Sequence, residues 1–324
     1  MKHLPGIRKR AIVMEWVKVF APATIGNIGP GFDVLGLAVR KLGDVVEARK
    51  IHSGVKISSI SYANPTFINL STDPRENTAG IAARETLRIL DVRGGVELRL
   101  KKGIPLGSGL GSSAASAAAA AFAVNHLYGN KLTKEELILA ATRAEEVVSG
   151  GFFADNTAPG LLGGATLTRS CLPLDVTRIG SIKKLKIIVV TPEIVILTKE
   201  ARKILPDKIP MKDFIFNMAN TSLITAAFAK DDYALFARSL NDVVIEPIRS
   251  KLIQGFDQVK KNALKAGADG MTISGSGPTV FAITDGLSKA RFIEDAMVRT
   301  FKQFGTKTFH MITAVDPEGA RVIK

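Results

Sequence analysis

Cysteine is almost absent from this sequence, and its scarcity narrows both the chemistry and the compartment. Among 324 residues there is one cysteine, Cys171, so an internal disulfide cannot form. No further cysteine or histidine lies near it in the sequence, which excludes a zinc site of the usual spacing there. Because structural disulfides mark oxidising compartments, we expect the protein to be cytoplasmic.

Long apolar runs are missing as well. The longest is rich in alanine, and Ser116 and Asn125 interrupt it, so a membrane span is not predicted. The basic N-terminus is followed by neither a continuous apolar segment nor a small-residue cleavage site, so no export signal is predicted. Met14 lies just before the first strand-like segment, and we interpret residues 1–13 as an N-terminal extension, with Met14 as an alternative start.

Aromatic residues are few, with one tryptophan and three tyrosines against 44 lysines and arginines. The formal net charge of +14 is spread along the chain, without the alternation of basic and aromatic residues that a nucleic-acid stacking platform has. A specific nucleic-acid partner is therefore not expected. The charge suits an enzyme with anionic substrates, and lysines that simply maintain solubility are the alternative.

The order of predicted strands and helices indicates an α+β protein. Before residue 101, segments such as "DVVEARK" and "VELRL" alternate apolar and polar residues, which is typical of half-buried strands. The spacing predicts a helix over 76–90 and another that begins at Thr133, where Glu136 completes a capping box. The first half of the chain therefore combines a sheet with packed helices.

The second half begins with a buried strand, "KLKIIVVTP", continues with helical segments and returns to strands around one last helix. This order favours an antiparallel sheet covered on one face by helices. We place the domain boundary near residue 175, which gives domains of 14–175 and 176–324. The chain is long enough for each domain to have its own core.

The stretch "PLGSGLGSSAASAAAAAFAV", residues 105–124, places three glycines at alternate positions directly before strong helix formers. A helix N-terminus has unpaired N–H groups and a partial positive charge, and glycine lets a phosphate approach the backbone. Ser112 and Ser113 add hydroxyls for a phosphate or a divalent cation. The pattern matches neither a Walker loop nor a dinucleotide fingerprint, and a tight turn before a helix of small residues is the alternative.

Two further glycine-rich segments, "PATIGNIGPGFDVLG" at 22–36 and "SGSGPTVF" at 274–281, favour the phosphate site. In this order and spacing, the three segments resemble the three motifs of the GHMP kinase superfamily. Within it, "APATIGNIGPGFDVLGLAV", "ADNTAPGLLGG", "TKEARKILP" and "EPIRSKLIQGF" are most similar to the homoserine kinases. The resemblance extends over the chain from about Trp16 onward.

The resemblance implies an N-terminal domain like the second domain of ribosomal protein S5 and a C-terminal ferredoxin-like α+β domain, with a nucleotide cleft between them. It implies that ATP and Mg²⁺ are used to convert L-homoserine into O-phospho-L-homoserine, on the way to threonine. It also implies a homodimer. The transfer is expected to be direct and in line, without a phosphoenzyme.

The resemblance also assigns residues to the nucleotide. The expected ATP-binding residues are Asn77, Pro105, Leu106, Gly107, Ser108, Gly109, Leu110, Gly111, Ser112 and Ser113. Ser112 and Glu145 are expected to bind Mg²⁺, which prefers oxygen ligands. Two of these residues have structural alternatives that involve no ligand: a solvated helix face for Glu145 and a helix cap for Asn77.

For the amino acid substrate, the resemblance assigns Asn27 and Asp33 to the ammonium and hydroxyl groups, with Asp33 as the candidate base. Arg202 and Arg249 are assigned to the carboxylate, a pairing that guanidinium geometry favours. Taken singly, each arginine is more often a surface charge. Asn156 is expected to orient the hydroxyl, beside a supporting Asp155, and Thr198 to approach the reacting groups.

One departure from the family pattern concerns the segment that ends in Asp155 and Asn156. The family has histidine two residues before the aspartate, where this chain has Phe153. That difference keeps open a sister kinase that acts on another small alcohol such as mevalonate. A nucleotide-binding protein without transferase activity is the second alternative.

Overall fold

A computed structural model describes residues 15–63 and 69–324; the predicted extension, residues 1–13, lies outside this part of the chain. The strands are β1 (Val17–Gly26), β2 (Leu35–Ile51), β3 (Gly54–Tyr62), β4 (Gly95–Lys102), β5 (Ala165–Cys171), β6 (Leu174–Gly180), β7 (Lys186–Pro192), β8 (Gly270–Ile273), β9 (Val280–Thr284), β10 (Thr308–Thr313) and β11 (Arg321–Ile323). The helices are α1 (Thr78–Ile89), α2 (Ser112–Leu127), α3 (Lys134–Ser149), α4 (Thr157–Leu162), α5 (Thr198–Lys203), α6 (Met211–Lys230), α7 (Tyr233–Ser239), α8 (Glu246–Arg249), α9 (Phe256–Lys265) and α10 (Leu287–Gln303).

The larger sheet has the order β11-β1-β2-β4-β3, and β5 and β6 extend it from β2. The long strand β2 joins its parts: its first residues pair with β5, its later residues with β4, and most of its length with β1. All of these pairs are antiparallel, whereas β3 and β4 run parallel. Strand β1 ends at Gly26, within the first glycine-rich segment.

Helix α2 packs against β1 and β2 and also against α1 and α3. Its alanines from Ala117 to Ala121 are fully buried, and Ser116 is nearly so. Because an alanine side chain is a single methyl group, a helix of this composition approaches its neighbours closely. The alanine-rich helix therefore packs closely on the sheet.

The smaller sheet has the order β10-β7-β9-β8, and every pair in it is antiparallel, as predicted. Helices α9 and α10 pack on one face in a separate hydrophobic cluster. The other face is buried too, because Ile187 and Phe281 belong to the same core as Phe228 and Phe236 of α6 and α7. The expectation of helices on a single face was therefore incomplete.

The sequence also predicted where two helices in the first half of the chain begin. Helix α1 begins one residue after Asn77, and α3 begins after Thr133, whose side chain forms the predicted capping box with Glu136. The predicted domain boundary near residue 175 falls inside β6, and the C-terminal strand β11 returns to pair with β1. That boundary stays a prediction. Among the described residues, no helix is long and apolar enough to cross a membrane.

Candidate active site

A cavity of about 390 Å³ lies where the glycine-rich segments meet. Most of the residues that the sequence singled out line it: Asn27, Asp33, Asn77, Leu106, Gly107, Ser108, Gly109, Gly111, Ser112, Ser113, Glu145, Asn156, Thr198, Arg202 and Arg249. Pro105 and Leu110 are not among the lining residues, and the Leu110 side chain is fully buried in the core.

We call residues 107–113 the glycine loop. Its carbonyl groups are anchored on both sides: the carbonyl of Leu110 accepts the N–H of Thr24 at 3.0 Å, and the carbonyl of Gly109 accepts the hydroxyl of Ser274 at 2.7 Å. Thr24 belongs to β1, and Ser274 follows β8. The three glycine-rich segments therefore form one site, held together by the backbone of the loop.

The glycines of the loop are required by conformation and by packing. Gly107, Gly109 and Gly111 all have left-handed φ angles, of 65°, 79° and 64°. A Cβ atom on Gly109 would lie 2.6 Å from the carbonyl oxygen of Gly277, and one on Gly111 would lie 2.0 Å from the Thr24 hydroxyl. We expected these glycines to admit a phosphate, which stays a prediction; at 109 and 111 the space that a Cβ atom would need is occupied by other parts of the protein.

Helix α2 begins at Ser112, at the inner end of the glycine loop. Gly111 provides no side-chain cap, and the first turn contains no acidic residue. The first N–H groups of a helix have no acceptor within it and attract anions. Since Ser112 and Ser113 both line the cavity, this helix end can bind a phosphate there.

A buried ion pair contacts the backbone where the glycine loop becomes helix α2. The ammonium of Lys102 pairs with the carboxylate of Asp44 and lies 2.7 Å from both the carbonyl oxygen of Ser112 and the hydroxyl of Ser116. Asp44 also accepts the N–H of Gly103 at 2.9 Å. Lys102 also lines the cavity, with its charge balanced by that of Asp44.

Sequence analysis missed this pair. The available signals were the lysine five residues before the loop, in "KKGIPLGSG", and an acidic residue in the middle of a strand. Lys102 and Asp44 are 58 residues apart, and the side chains of both are nearly inaccessible to solvent. Neither residue type is expected to be buried unless it is paired, and the pairing is visible only in three dimensions.

Glu145 is buried beside the glycine loop, not on a solvated helix face. Burial raises the pKa of its carboxyl group to about 7, while a hydrogen bond from Ser113 and the charge of Lys102 act in the opposite direction. The hydroxyl of Ser112, the other predicted metal ligand, instead lies 3.5 Å from the carbonyl oxygen of Ile104. The serine that contacts the carboxylate is therefore Ser113.

Asn77 forms the helix cap that was its alternative explanation. Its side-chain oxygen accepts the N–H of Ala79 at 3.0 Å, and its amide donates to the carbonyl of Ser71 at 2.9 Å. It also lines the cavity, so a cap and a contact with a ligand are compatible.

The turn between β1 and β2 has a strained backbone. Asn27, Ile28 and Asp33 have left-handed φ angles of 70°, 47° and 60°, which is especially unfavourable for a β-branched isoleucine. The side chain of Asn27 holds the turn, since its oxygen accepts the N–H of Asp33 at 3.0 Å and its amide donates to the carbonyl of Gly275 at 3.0 Å. Asn27 therefore shapes the cavity wall and connects the two halves of the chain.

Asp33 and Arg202 are bound to each other. The two terminal nitrogens of the guanidinium donate to the two carboxylate oxygens at 2.8 and 2.9 Å, although the residues are 169 positions apart. This bond raises the pKa of Arg202. The remaining nitrogen of Arg202, Nε, is buried and has no acceptor among the described residues.

Arg249 is buried and has no carboxylate bonded to it among the described residues. Its guanidinium donates to the carbonyl oxygens of Gly275 at 2.9 Å and Ala201 at 3.3 Å. Burial, reinforced by the charge of Arg202, lowers the pKa of Arg249 to about 10. A buried cation that is satisfied only by neutral groups favours an anion in the adjoining cavity. We call Asp33, Arg202 and Arg249 together the arginine end of the cavity.

The segment before α4 adds a buried acid and a fixed amide. Burial raises the pKa of Asp155 to about 7, with further contributions from the negative charges of Asp33 and Glu145. The amide of Asn156 donates to Asp155 at 3.2 Å, and its oxygen accepts the hydroxyl of Thr24 at 2.9 Å. These two contacts determine which way the Asn156 amide faces in the cavity.

Further lining residues come from α5 and the turn after β8. Thr198 begins α5, and its hydroxyl lies 3.4 Å from that of Ser276, which sequence analysis did not single out. Phe153 also lines the cavity, with its ring against Arg202. Among the described residues, no group of three or more His, Cys, Asp or Glu side chains could hold a metal ion by itself.

Two family models match the chain: the N-terminal domain of GHMP kinases over residues 77–164 and the C-terminal domain of GHMP kinases over residues 224–303. The first match includes the glycine loop and Glu145, and the second includes Arg249 and the β8–β9 turn. Together with the α+β fold, which is as the resemblance implied, these matches define the class as a two-domain GHMP kinase.

Individual relatives narrow the class. The homoserine kinase of Arabidopsis thaliana is 45% identical over 314 residues, which cover 95% of this chain and 84% of the relative. The homoserine kinase of Chlorobium phaeovibrioides is 42% identical over 96% of this chain and its own full length. The crystal structure of homoserine kinase from Cytophaga hutchinsonii has a TM-score of 0.89 and 39% identity, covering 98% of this chain and 100% of that one. The chain belongs to the homoserine kinase family.

Proposed function

We propose that this protein transfers the γ-phosphoryl group of ATP to the side-chain hydroxyl of L-homoserine and so supplies O-phospho-L-homoserine for threonine biosynthesis. The observation that carries the proposal is a single cavity that combines the anion-binding glycine loop with the arginine end. A phosphate donor and an amino acid acceptor can meet only if both sites open into the same space. The names of the relatives supply the identity of the acceptor.

The glycine loop is the proposed site of the ATP phosphates. The start of α2 supplies N–H groups, and the ion pair of Lys102 with Asp44 holds this helix end in place through the carbonyl of Ser112. Pro105 and Leu110 contribute through the course of the backbone, because neither lines the cavity. Asn77, which lines the cavity while capping α1, is the proposed neighbour of the adenine.

Mg²⁺ is the proposed metal, and the residues present suit it. Mg²⁺ usually takes one or two protein carboxylates and completes its shell with phosphates and water, so a larger acidic cluster is not needed. Glu145 is a carboxyl group whose charged form burial disfavours, and a cation would favour that form. Glu145 and the hydroxyl of Ser112 or Ser113 are the proposed ligands. The ion would neutralise charge on the phosphate oxygens.

The arginine end is the proposed site of the amino acid. Arg249 and the buried Nε of Arg202 provide donors for the α-carboxylate. Burial raises the pKa of Asp155 to about 7, and an ammonium group beside it would favour its charged form. Asn27 acts indirectly, because its side chain holds the turn that presents Asp33. A zwitterion suits this mixture of charges better than a simple anion does.

The proposed transfer is direct. The hydroxyl oxygen of homoserine bonds to the γ-phosphorus, the bond from that phosphorus to the bridging oxygen of ADP breaks, and the hydroxyl proton is released to solvent. Alignment and charge stabilisation account for most of the catalysis in such a loose transition state. Asn156, held by Thr24 and Asp155, is proposed to orient the hydroxyl, and Thr198 to approach the transferred group. Both oxygens of Asp33 accept N–H groups of Arg202, which argues against Asp33 as a base.

Two alternatives remain testable by the same assay. A sister kinase for mevalonate would need the carboxylate donors but no site for an ammonium, and the acidic side chains of Asp33 and Asp155 disfavour it. A noncatalytic nucleotide-binding protein would have no need for a buried Arg249 in the same cavity. The acidic side chains predict that the protein prefers L-homoserine to mevalonate. The buried Arg249 predicts that an acceptor is bound and phosphorylated.

The decisive experiment measures ADP release by the purified protein with Mg²⁺ and ATP. Separate reactions contain L-homoserine, L-threonine, mevalonate or no acceptor, and mass spectrometry identifies the phosphorylated product. Turnover on L-homoserine alone is the expected result. Turnover on mevalonate would assign mevalonate as the substrate in place of L-homoserine. ATP binding without any product would favour the noncatalytic alternative.

A homodimer is the proposed assembly. The first half of α6 exposes large apolar side chains, with Met211 at 69%, Ile215 at 52%, Met218 at 50% and Phe214 at 47% exposure. Contiguous apolar surface of this kind indicates an interface, and we propose a second copy of this chain as its partner. Sedimentation equilibrium decides the assembly. The cytoplasmic location stays a prediction, to be checked by fractionation of the native cells.

A further inference from the structure

Phe153 lies where the family pattern has histidine, and its surroundings give it a specific role. The guanidinium carbon of Arg202 lies 4.2 Å from the centre of the Phe153 ring and 5.2 Å from the centre of the Phe32 ring. Both distances are within the range of cation–π interactions. Arg202 is therefore held against aromatic rings as well as by Asp33.

The ring of Phe153 lies close against the backbone at Gly151. A Cβ atom at Gly151 would lie 2.0 Å from Cε2 of Phe153, so glycine at that position leaves room for the ring. Phe153 is partly buried and lines the cavity, directly before the segment that carries Asp155 and Asn156. Its ring thus forms part of the wall beside the proposed amino acid site.

Arg202 has two edges that can each bind a carboxylate with two parallel hydrogen bonds. Asp33 occupies the terminal edge, at 2.8 and 2.9 Å. The side edge contains Nε, which is buried and lacks an acceptor among the described residues. An unpaired buried donor of this kind points to a ligand that provides the acceptor.

The two bonds at the terminal edge still let the guanidinium tilt about the line through its two terminal nitrogens, and this tilt moves Nε. A ring stacked on the guanidinium removes this freedom, and it also keeps water away from the side edge. We propose that Phe153 is a positioning residue that directs the free edge of Arg202 toward the α-carboxylate of the substrate, and thereby selects acceptors that have this carboxylate. The proposal rests on the proposed function.

The test compares Phe153→Leu with a matched control, Phe152→Leu. Phe152 is the preceding residue, and its ring also lies near an arginine, with the guanidinium carbon of Arg143 at 5.8 Å, but it is not among the cavity-lining residues. Two acceptors are used with each protein: L-homoserine and 3-amino-1-propanol, which is homoserine without the carboxylate.

With L-homoserine, Phe153→Leu is expected to raise KM about tenfold, the size of a desolvated cation–π interaction, while kcat and the KM for ATP stay close to those of the wild-type protein. With 3-amino-1-propanol, kcat/KM of the variant and of the wild type should agree, because no carboxylate is present to be positioned. Phe153→Tyr keeps a ring face and should restore most of the affinity for L-homoserine. Phe152→Leu should change neither acceptor.

Equal losses on the two acceptors would overturn the proposal, since they would mean that the Phe153 ring acts only on the general structure of the site. An unchanged KM for L-homoserine in Phe153→Leu would overturn it as well. If the wild-type protein phosphorylates no L-homoserine, the substrate assignment fails, and the proposal fails with it. If the wild type is active and Phe153→Leu behaves like Phe152→Leu, only the role of Phe153 is lost.

Discussion

The glycine loop and the arginine end adjoin one cavity but are built by different means. The glycine loop uses backbone groups from one continuous segment, anchored by its carbonyls to Thr24 and Ser274. The arginine end uses charged side chains from three separate segments, at positions 33, 202 and 249. The comparison teaches that backbone chemistry can be recognised from a local pattern, whereas side-chain chemistry at a shared site depends on how distant segments meet.

The largest expected effect concerns the buried pair of Lys102 and Asp44, and it tests whether the glycine loop depends on that pair. Asp44→Asn leaves the buried ammonium of Lys102 without its carboxylate, and we expect a loss of about 3–5 kcal/mol in the free energy of unfolding. Urea denaturation measures it. The control, Asp175→Asn, removes an exposed pair with Arg169 and should cost about 1 kcal/mol or less. Similar losses in both variants would show that the glycine loop needs no such support.

The second test removes a charge from the arginine end. Arg249→Met should lower kcat/KM for L-homoserine by a factor of roughly 30 to 1,000, equivalent to about 2–4 kcal/mol, because the carboxylate loses a buried donor. The KM for ATP should change little. Steady-state kinetics measure both, after circular dichroism has verified folding. Arg299→Met, at an exposed position on α10, is the control. An equal rise in both KM values would remove the distinction between the two regions.

The third test uses the buried carboxyl groups that lie between the regions. Because burial raises the pKa of Asp155 in the folded protein to about 7, the folded state keeps a proton that the unfolded state releases near pH 4, and stability falls as pH rises from about 4 to about 7. Without ligands, the free energy of unfolding should drop by about 2 kcal/mol per such group between pH 5 and pH 8. Asp155→Asn should reduce this slope in urea titrations, whereas Asp295→Asn on the surface should not. A slope that is the same in both variants would contradict the assignment.

The smallest expected effect concerns kcat in Asp33→Asn. If the Asp33 carboxylate serves to hold Arg202 and attract the ammonium, its loss should raise KM for L-homoserine and change kcat by less than about threefold, since proton transfer by a base contributes far more than that. Initial rates at saturating substrate measure kcat. A fall in kcat of a hundredfold or more would restore Asp33 as the base and would give the arginine end a chemical role.

Sequence patterns were accurate where the interaction is local. The capping box of Thr133 and Glu136 lies within one helical turn, and the glycine loop and its helix are adjacent in the chain. Sequence patterns were less informative about which distant side chains bind each other. The pairing of Asp33 with Arg202 was not expected, because both residues were assigned to the substrate and not to each other. The contact of Glu145 with Ser113, and not Ser112, depends on which face of α2 meets α3.

The class of fold, the glycine loop and the side chains available to the site could be predicted from the sequence, since short-range conformational preferences and the spacing of glycines are properties of the local chain. The pairing of charges could not be predicted, because it depends on how remote segments pack. Lys102 is neutralised by Asp44, and one edge of Arg202 by Asp33, while Arg249 and the Arg202 Nε face no protein anion among the described residues. The physical reason is that ion pairing depends on distance and burial, which are set when remote segments pack together.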